Sequence, residues 1–140
     1  MADRKAPITF DSLKSGMQLP PLSIAVSPSA IVAGAIASGD FEVIHHDKKA
    51  AQERGTPDIF MNILTTNGYV QRFVNDWIAP AGSIRSVDIR LGVPTFSGDT
   101  LKFSGVVQQK HAAEHTLDIA VTGTNSIGQH VAATVRVALP

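Results

Sequence analysis

The hydrophobic period of this chain changes once along its length, and the change separates a helical first part from a stranded last part. From Val87 onward apolar residues recur at every second position, with Val87, Ile89, Leu91 and Val93 alternating against Ser86, Asp88, Arg90 and Gly92. Three further runs obey the same rule: Leu101, Phe103, Gly105 and Val107; Leu117, Ile119 and Val121; and Val131, Ala133, Val135, Val137 and Leu139. Turn-forming residues at 97–99, 110–114 and 125–128 separate them, so the pattern predicts four strands in an antiparallel meander with one apolar face. Upstream, Ile59, Ile63, Val70, Val74 and Trp77 fall at helical spacing, and Phe60, Leu64 and Phe73 widen the stripe, which predicts a long helix over 58–77. Gly68 lies inside that helix, where it costs about 1 kcal/mol relative to Ala, and close packing against a neighbour is the expected compensation.

Shorter elements precede the long helix. Residues 8–10 and 23–26 read as short strands separated by Gly16 and the Pro20-Pro21 break. Ser27 is an N-cap with Pro28 at the first helical position, and Ala30, Ile31, Ala33, Gly34 and Ala37 give a short helix with a small-residue face, ending at Gly39. A second short helix over 48–54 is capped by Asp47 and stopped by Gly55. Helices first and strands last indicate an α+β layer rather than alternating β-α-β units. One apolar sheet face and one apolar helix stripe satisfy each other when a single long helix lies across the sheet. That arrangement, a curved antiparallel sheet wrapped around a central helix, is the hotdog fold.

Composition narrows the function classes. At 140 residues the chain is read as one domain, 1–140, large enough to bury roughly two-thirds of the surface its unfolded form exposes. It has no cysteine, which excludes a disulfide framework and thiolate chemistry and is compatible with a reducing cytoplasm. Twelve basic and twelve acidic residues cancel and are scattered, leaving no electrostatic footprint for nucleic acid or an anionic membrane. Residues 1–10 are charged and lack the apolar core of a secretory leader, and the longest apolar run, around 30–37, is too short to span a bilayer. A soluble cytoplasmic protein is expected.

Acid–base groups are few, and two of them stand together: Asp40 and His45, five positions apart in the segment 38–47. A carboxylate and an imidazole that converge on one water can share its activation, the imidazole near its working pKa and the carboxylate orienting the water. The same residues admit a plainer reading, an Asp that caps and a loop His at the surface. His46 and Asp47 resemble half a metal site but lack a further ligand at suitable spacing, and no metal is expected. His111 and His115 flank a hairpin turn and read as solvated, Asp99 as a turn residue bonding local backbone N–H groups, and Trp77 as a core or interface anchor. Asn67 reads as an interface amide or a substrate contact.

With its elements placed, the sequence resembles the MaoC-like branch of the hotdog superfamily, the (R)-specific enoyl-CoA hydratases and related dehydratases. The residues that carry the resemblance are Gly39-Asp40 through His45-His46-Asp47, the stretch Asp58-Ile59-Phe60-Met61-Asn62-Ile63-Leu64-Thr65, and Leu91-Gly92-Val93-Pro94 followed by Gly98-Asp99-Thr100-Leu101. It is most similar to the small MaoC-like subunits of heteromeric hydratases acting on steroid side-chain CoA thioesters in actinobacteria, where Val70-Gln71-Arg72 and Asp76-Trp77 also match. The resemblance implies hydration of a trans-2-enoyl-CoA to a 3-hydroxyacyl-CoA, or the reverse dehydration, with a bulky or steroid-derived acyl group. It implies that Asp40 and His45 lie side by side around the water. A backbone N–H at Asn62 would meet the thioester oxygen, Arg85 and Arg90 are candidates for the CoA phosphates, and coenzyme A enters as part of the substrate with no other cofactor. It further implies a dimer, either a homodimer or a heteromer with a longer MaoC-like chain.

Two departures from the family pattern stand out. Glu42 and Val43 occupy the stretch where Asn and Pro usually precede the His, and Met61-Asn62 stands where the family usually has His-Gly, so a substrate must approach a residue that carries a side chain. The competing functions are an acyl-CoA thioesterase and a non-catalytic partner subunit. The former usually takes its carboxylate from the central helix, which here offers only Asp58 and Asp76; retention of both Asp40 and His45 argues against the latter.

Overall fold

Alternating runs become strands, and the computed structural model, which describes residues 8–140, shows how they are joined. In chain order the elements are β1 (Leu22–Ala25), α1 (Pro28–Ala37), α2 (Lys48–Glu53), α3 (Ile63–Ile78), β2 (Ser83–Leu91), β3 (Thr100–His111), β4 (Thr116–Asn125) and β5 (Gly128–Ala138). Residues 1–7, on which the expectation about a leader partly rests, lie outside the described residues. No helix among the described residues is long and apolar enough to cross a membrane.

The five strands form one antiparallel sheet in the order β1-β3-β4-β5-β2. Strands β3, β4 and β5 are the expected meander, but β2 is not its first member. It lies at the far edge against β5, with Val87 opposite Val135 and Ile89 opposite Ala133. The linker 92–99 explains the difference. It first follows β5, through Gly92 N–H to the His130 carbonyl at 2.7 Å and Val93 N–H to the Gln129 carbonyl at 3.0 Å, and then bridges Phe60 through Phe96 on its way to the other edge. A period of two fixes the face a strand buries; it does not fix the neighbour it takes. The faces are as the period requires, with Leu101, Phe103, Val107, Leu117, Ile119, Val121, Val131, Val135 and Val137 all buried in one core. Residues 8–10 are not a strand: Phe10 opens a 3-10 turn held by reciprocal Thr9 and Ser12 hydrogen bonds and buries its ring.

Helix α3 begins at Ile63, five residues later than the apolar spacing suggested. Residues 58–61 are not helical: Phe60 bridges Phe96, and the Met61 N–H bonds the Thr95 carbonyl at 3.0 Å. Asn62 is the N-cap, its side-chain oxygen accepting the Thr65 N–H at 3.0 Å. The buried face is consequently Thr66, Val70, Phe73, Val74 and Ile78, with Trp77 half-buried against it, while Ile63 and Leu64 are each 49% exposed. Full burial of a side chain such as Val70 or Phe73 contributes about 1.5–3 kcal/mol. Phe73 stacks on Phe103 with centroids 5.8 Å apart, and a Cβ at Gly105 would come within 2.8 Å of the Phe73 ring, so the glycine lets the helix settle onto the sheet. Gly68 does not behave as expected, because a Cβ there would meet nothing within 4 Å among the described residues.

Helix α1 crosses α3 where Gly34 meets Thr65, and a Cβ at Gly34 would overlap the Thr65 hydroxyl. That close crossing sets the C-terminal end of α1 beside the N-terminal end of α3.

Candidate active site

Asp40 is delivered by the way α1 ends. Gly39 takes a left-handed conformation, φ +71°, and the N–H groups of Gly39 and Asp40 bond the carbonyls of Ile36 at 3.0 Å and Ala35 at 2.9 Å, the two bonds of a Schellman motif. The carboxylate then closes a short turn, accepting the Glu42 N–H at 3.2 Å, and a 3-10 turn over Val43–His45 brings the imidazole back toward it. Glu42 also pairs with Arg54 at 2.6 Å, tying the turn to the end of α2. These bonds give the loop a rigidity that does not depend on the Asn-Pro of the family pattern.

His45 is buried, and its Nδ1 lies 2.7 Å from the Phe60 carbonyl oxygen. A carbonyl only accepts, so Nδ1 carries the hydrogen and Nε2 of the neutral ring presents a lone pair. The ring also meets Phe60 edge to face, centroids 4.9 Å apart. Nε2 is 3.5 Å from Asp40 Oδ2. With the ring neutral, both atoms are acceptors, and a molecule with two hydrogens to give, such as water, satisfies both at once.

Asn62 completes the constellation. Its Oδ1 is committed to capping α3, which turns Nδ2 toward Asp40 Oδ2 and Ser38 Oγ, each at 3.0 Å. The Asn62 hydrogen bond, followed by that of the Glu42 N–H, outweighs the desolvation of the Asp40 carboxyl, holds it below its ordinary range and keeps it ionised at neutral pH. The backbone N–H groups of Asn62, Ile63 and Leu64 bond no described residue, as expected for the first turn of a helix, and the helix dipole favours negative charge there. A carboxylate, an imidazole and unpaired N–H donors thus meet between α1, the 40–45 turn and α3.

The other candidates lie elsewhere. Arg85 and Arg90 are exposed on edge strand β2, Arg85 at the irregularity between Ile84 and Ser86, and neither forms an ion pair among the described residues. His46 is exposed, and Asp47 uses its carboxylate to cap α2 through the Ala50 N–H at 3.1 Å. Asp99 holds Thr100 N–H at 2.7 Å and the Ser126 hydroxyl at 2.6 Å, the turn role expected of it. His111 is not simply solvated: half-buried, it lies 3.0 Å from Asp118, which Arg136 grips with two hydrogen bonds and whose pKa is lowered to about 2, chiefly by that guanidinium. His115 is exposed and stacks on Phe10. Asn67 accepts a long 3.4 Å bond from Gln71. Asp58 lies before the helix, bonded to Ile59 N–H and Lys48, and Asp76 is paired with Arg72.

Sequence reasoning missed the Asn62 carboxamide, the Ser38 hydroxyl, the Phe60 carbonyl and a buried pair beneath them, Thr66 and His130. An Asn three residues before Thr65 is a capping signal that would have moved the helix start to 63 and released the side chain for Asp40. Nothing in the local sequence marks the other partners.

A MaoC-like domain model matches residues 14–129. The chain is 43% identical over 124 residues to the 3-oxo-4,17-pregnadiene-20-carboxyl-CoA hydratase beta subunit of Mycobacterium tuberculosis, covering 89% of this chain and 95% of that one. Among solved structures it is similar to the ChsH1-ChsH2 complex from Mycobacterium tuberculosis, with 42% identity, a TM-score of 0.87, and coverage of 91% of this chain and 98% of that chain. The R-hydratase PhaJ1 from Pseudomonas aeruginosa shares the fold, with a TM-score of 0.87 at 18% identity, covering 96% of this chain and 86% of that one.

Proposed function

The chain belongs to the MaoC-like family, and on that premise we propose that it adds water to a trans-2-enoyl-CoA thioester to give a 3-hydroxyacyl-CoA, or catalyses the reverse dehydration. The observation that carries this reading is the pair of acceptors, Asp40 Oδ2 and His45 Nε2, 3.5 Å apart at the mouth of α3. Water held between them gives up a proton as its oxygen bonds the β-carbon, and the same pair returns a proton to the α-carbon on that face. The enolate charge growing on the thioester oxygen is met by the free N–H groups at Asn62 and its neighbours, and losing one such donor costs roughly 2.7–4 kcal/mol of barrier. The Asn62 side chain is turned toward Asp40 and Thr65, and its own N–H bonds no described residue. Arg85 and Arg90 are the proposed contacts for the CoA phosphates. The reaction calls on no metal or redox cofactor.

Substrate and assembly follow from the surroundings of the site. Phe41, which follows Asp40, is 71% exposed, and Ile63 and Leu64 follow Asn62, so the site has an apolar rim that the described residues leave uncovered. The outer edge of β2 has no strand partner among the described residues, and an open edge beside apolar surface favours association. We therefore propose that the domain, 1–140, works in the cytoplasm as a dimer, with a second copy or with a longer MaoC-like chain, and that the acyl group is bulky and steroid-like, as the name of the Mycobacterium tuberculosis relative supports. A thioesterase is disfavoured, because Asp76 is held by Arg72 and Asp58 precedes the helix. The test is loss of the conjugated-thioester absorbance of enoyl-CoA substrates, with this chain alone and with MaoC-like chains encoded beside it. Turnover that needs Asp40 and His45 supports the reading; CoA release without hydration refutes it, and activity that survives both substitutions assigns the chemistry to the partner.

A further inference from the structure

We infer that Thr66 and His130 form a positioning pair that holds the Asn62 carboxamide on the Asp40 carboxylate. His130 lies on β5, beneath the first turn of α3, and both residues are buried, Thr66 at 0% and His130 at 2% exposure. His130 Nδ1 is 2.7 Å from the Val93 carbonyl, which only accepts, so Nδ1 carries the hydrogen and Nε2 is the acceptor in the neutral ring. Burial in the core lowers its pKa, which keeps the ring neutral. Nε2 is 2.8 Å from Thr66 Oγ1, so the hydroxyl donates to it.

That direction matters for Asn62. A threonine inside a helix tends to bond back to the carbonyl four residues earlier, which bends the turn. Here that carbonyl is Asn62, 3.3 Å from Thr66 Oγ1, and it already accepts the Thr66 N–H at 3.1 Å. By taking the hydroxyl hydrogen, His130 leaves the helical bond undisturbed and pins the turn to both β5 and the 92–99 linker. The same turn sets the Thr65 N–H that fixes Asn62 Oδ1, and so aims Nδ2 at Asp40. Replacing both members of a buried hydrogen-bonded pair by apolar groups of like shape is nearly neutral for stability, so packing alone does not demand a polar pair here.

The kinetic part of this inference rests on the proposed hydration; the geometric part does not. The test uses Thr66→Val, which keeps the shape and deletes the donor, and Thr66→Ser, which keeps the donor, with Thr66→Ala in place of Val should the latter fail to fold. In the full-length protein, nitrogen NMR should find His130 protonated at Nδ1 and bare at Nε2. The Asn62 side-chain amide resonances should move in Thr66→Val and stay in Thr66→Ser. Unmoved resonances in Thr66→Val, or a His130 protonated at Nε2, overturn the inference whatever the activity. In the enoyl-CoA assay of the assembled protein, Thr66→Val should lower kcat on the order of ten- to a hundredfold with KM little changed, and Thr66→Ser should restore it. Parental kcat in Thr66→Val overturns the positioning role. A parent that hydrates no enoyl-CoA refutes the hydration reading instead, and the Asn62 resonances then decide the positioning on their own.

Discussion

Gly39 and Gly68 should respond to alanine in opposite directions, and for one reason. At each position a Cβ would meet nothing within 4 Å among the described residues, so neither substitution creates a clash and the backbone decides the outcome. Gly39 is at φ +71°, where an L side chain costs roughly 1–2 kcal/mol, so Gly39→Ala should lower stability by about that amount. Gly68 is in ordinary helical conformation inside α3, where alanine is better than glycine by about 1 kcal/mol, so Gly68→Ala should raise stability. The two variants should therefore stand about 2–3 kcal/mol apart. Urea unfolding at fixed protein concentration measures this as midpoint shifts of opposite sign at unchanged slope. Gly39→Ala should also lose activity, because relief of its strain breaks the turn that delivers Asp40. Midpoints moving in the same direction would refute the reasoning. If a partner helix packs at Gly68, the stabilised variant should also assemble more weakly, which sedimentation of the mixed chains would reveal.

Asn62→Ala should lose about 1 kcal/mol of stability with the cap. It should also move the acid limb of kcat/KM to higher pH, because the hydrogen bond that most lowers the Asp40 pKa is gone; an unmoved limb would separate Asn62 from Asp40. Asn62→Pro, which in addition deletes the backbone N–H, should depress kcat further than Ala, and equal values would exclude that donor. Because burial depresses the His130 pKa, the unfolded chain binds more protons than the folded one just below pH 6.5, so this group's stability contribution is full above that pH and is lost as pH falls toward the folded pKa. Urea midpoints of the parent between pH 5 and 7 should accordingly fall toward acid more steeply than those of His130→Phe, and parallel profiles would count against a buried neutral His130.

Local patterns proved legible wherever one residue's chemistry sufficed. Ser27, Pro28 and Gly39 bound α1 as read, Asp47 caps α2, and the inward positions of β3, β4 and β5 follow from period two alone. What failed depended on distant partners. The edge position of β2 is set by bonds from Gly92 and Val93 to β5, and the non-helical path of 58–61 by Met61 bonding Thr95 and Phe60 pairing with Phe96, none of which an apolar count registers. At the site, the Asp40 and His45 spacing pointed to the acceptor pair, because a tight turn joins them. The Asn62 carboxamide, the Phe60 carbonyl and the Thr66–His130 pair come from residues 15 to 64 positions apart in sequence, visible only once α1, α3 and β5 are packed.

The central claim is that Asp40 and His45 act on one water as a unit, and a double-substitution cycle tests it most directly. Asp40→Asn, His45→Gln and the combined variant would be assembled as the parent is, checked for an unchanged fold, and followed by loss of enoyl-thioester absorbance. Removing an acid–base group typically costs about 10²- to 10⁴-fold, so each single variant should lose that much in kcat. The double variant should lose little more than the worse single, as residues acting together do. Near-parental turnover in either single variant, or losses that multiply in the double, would contradict the account.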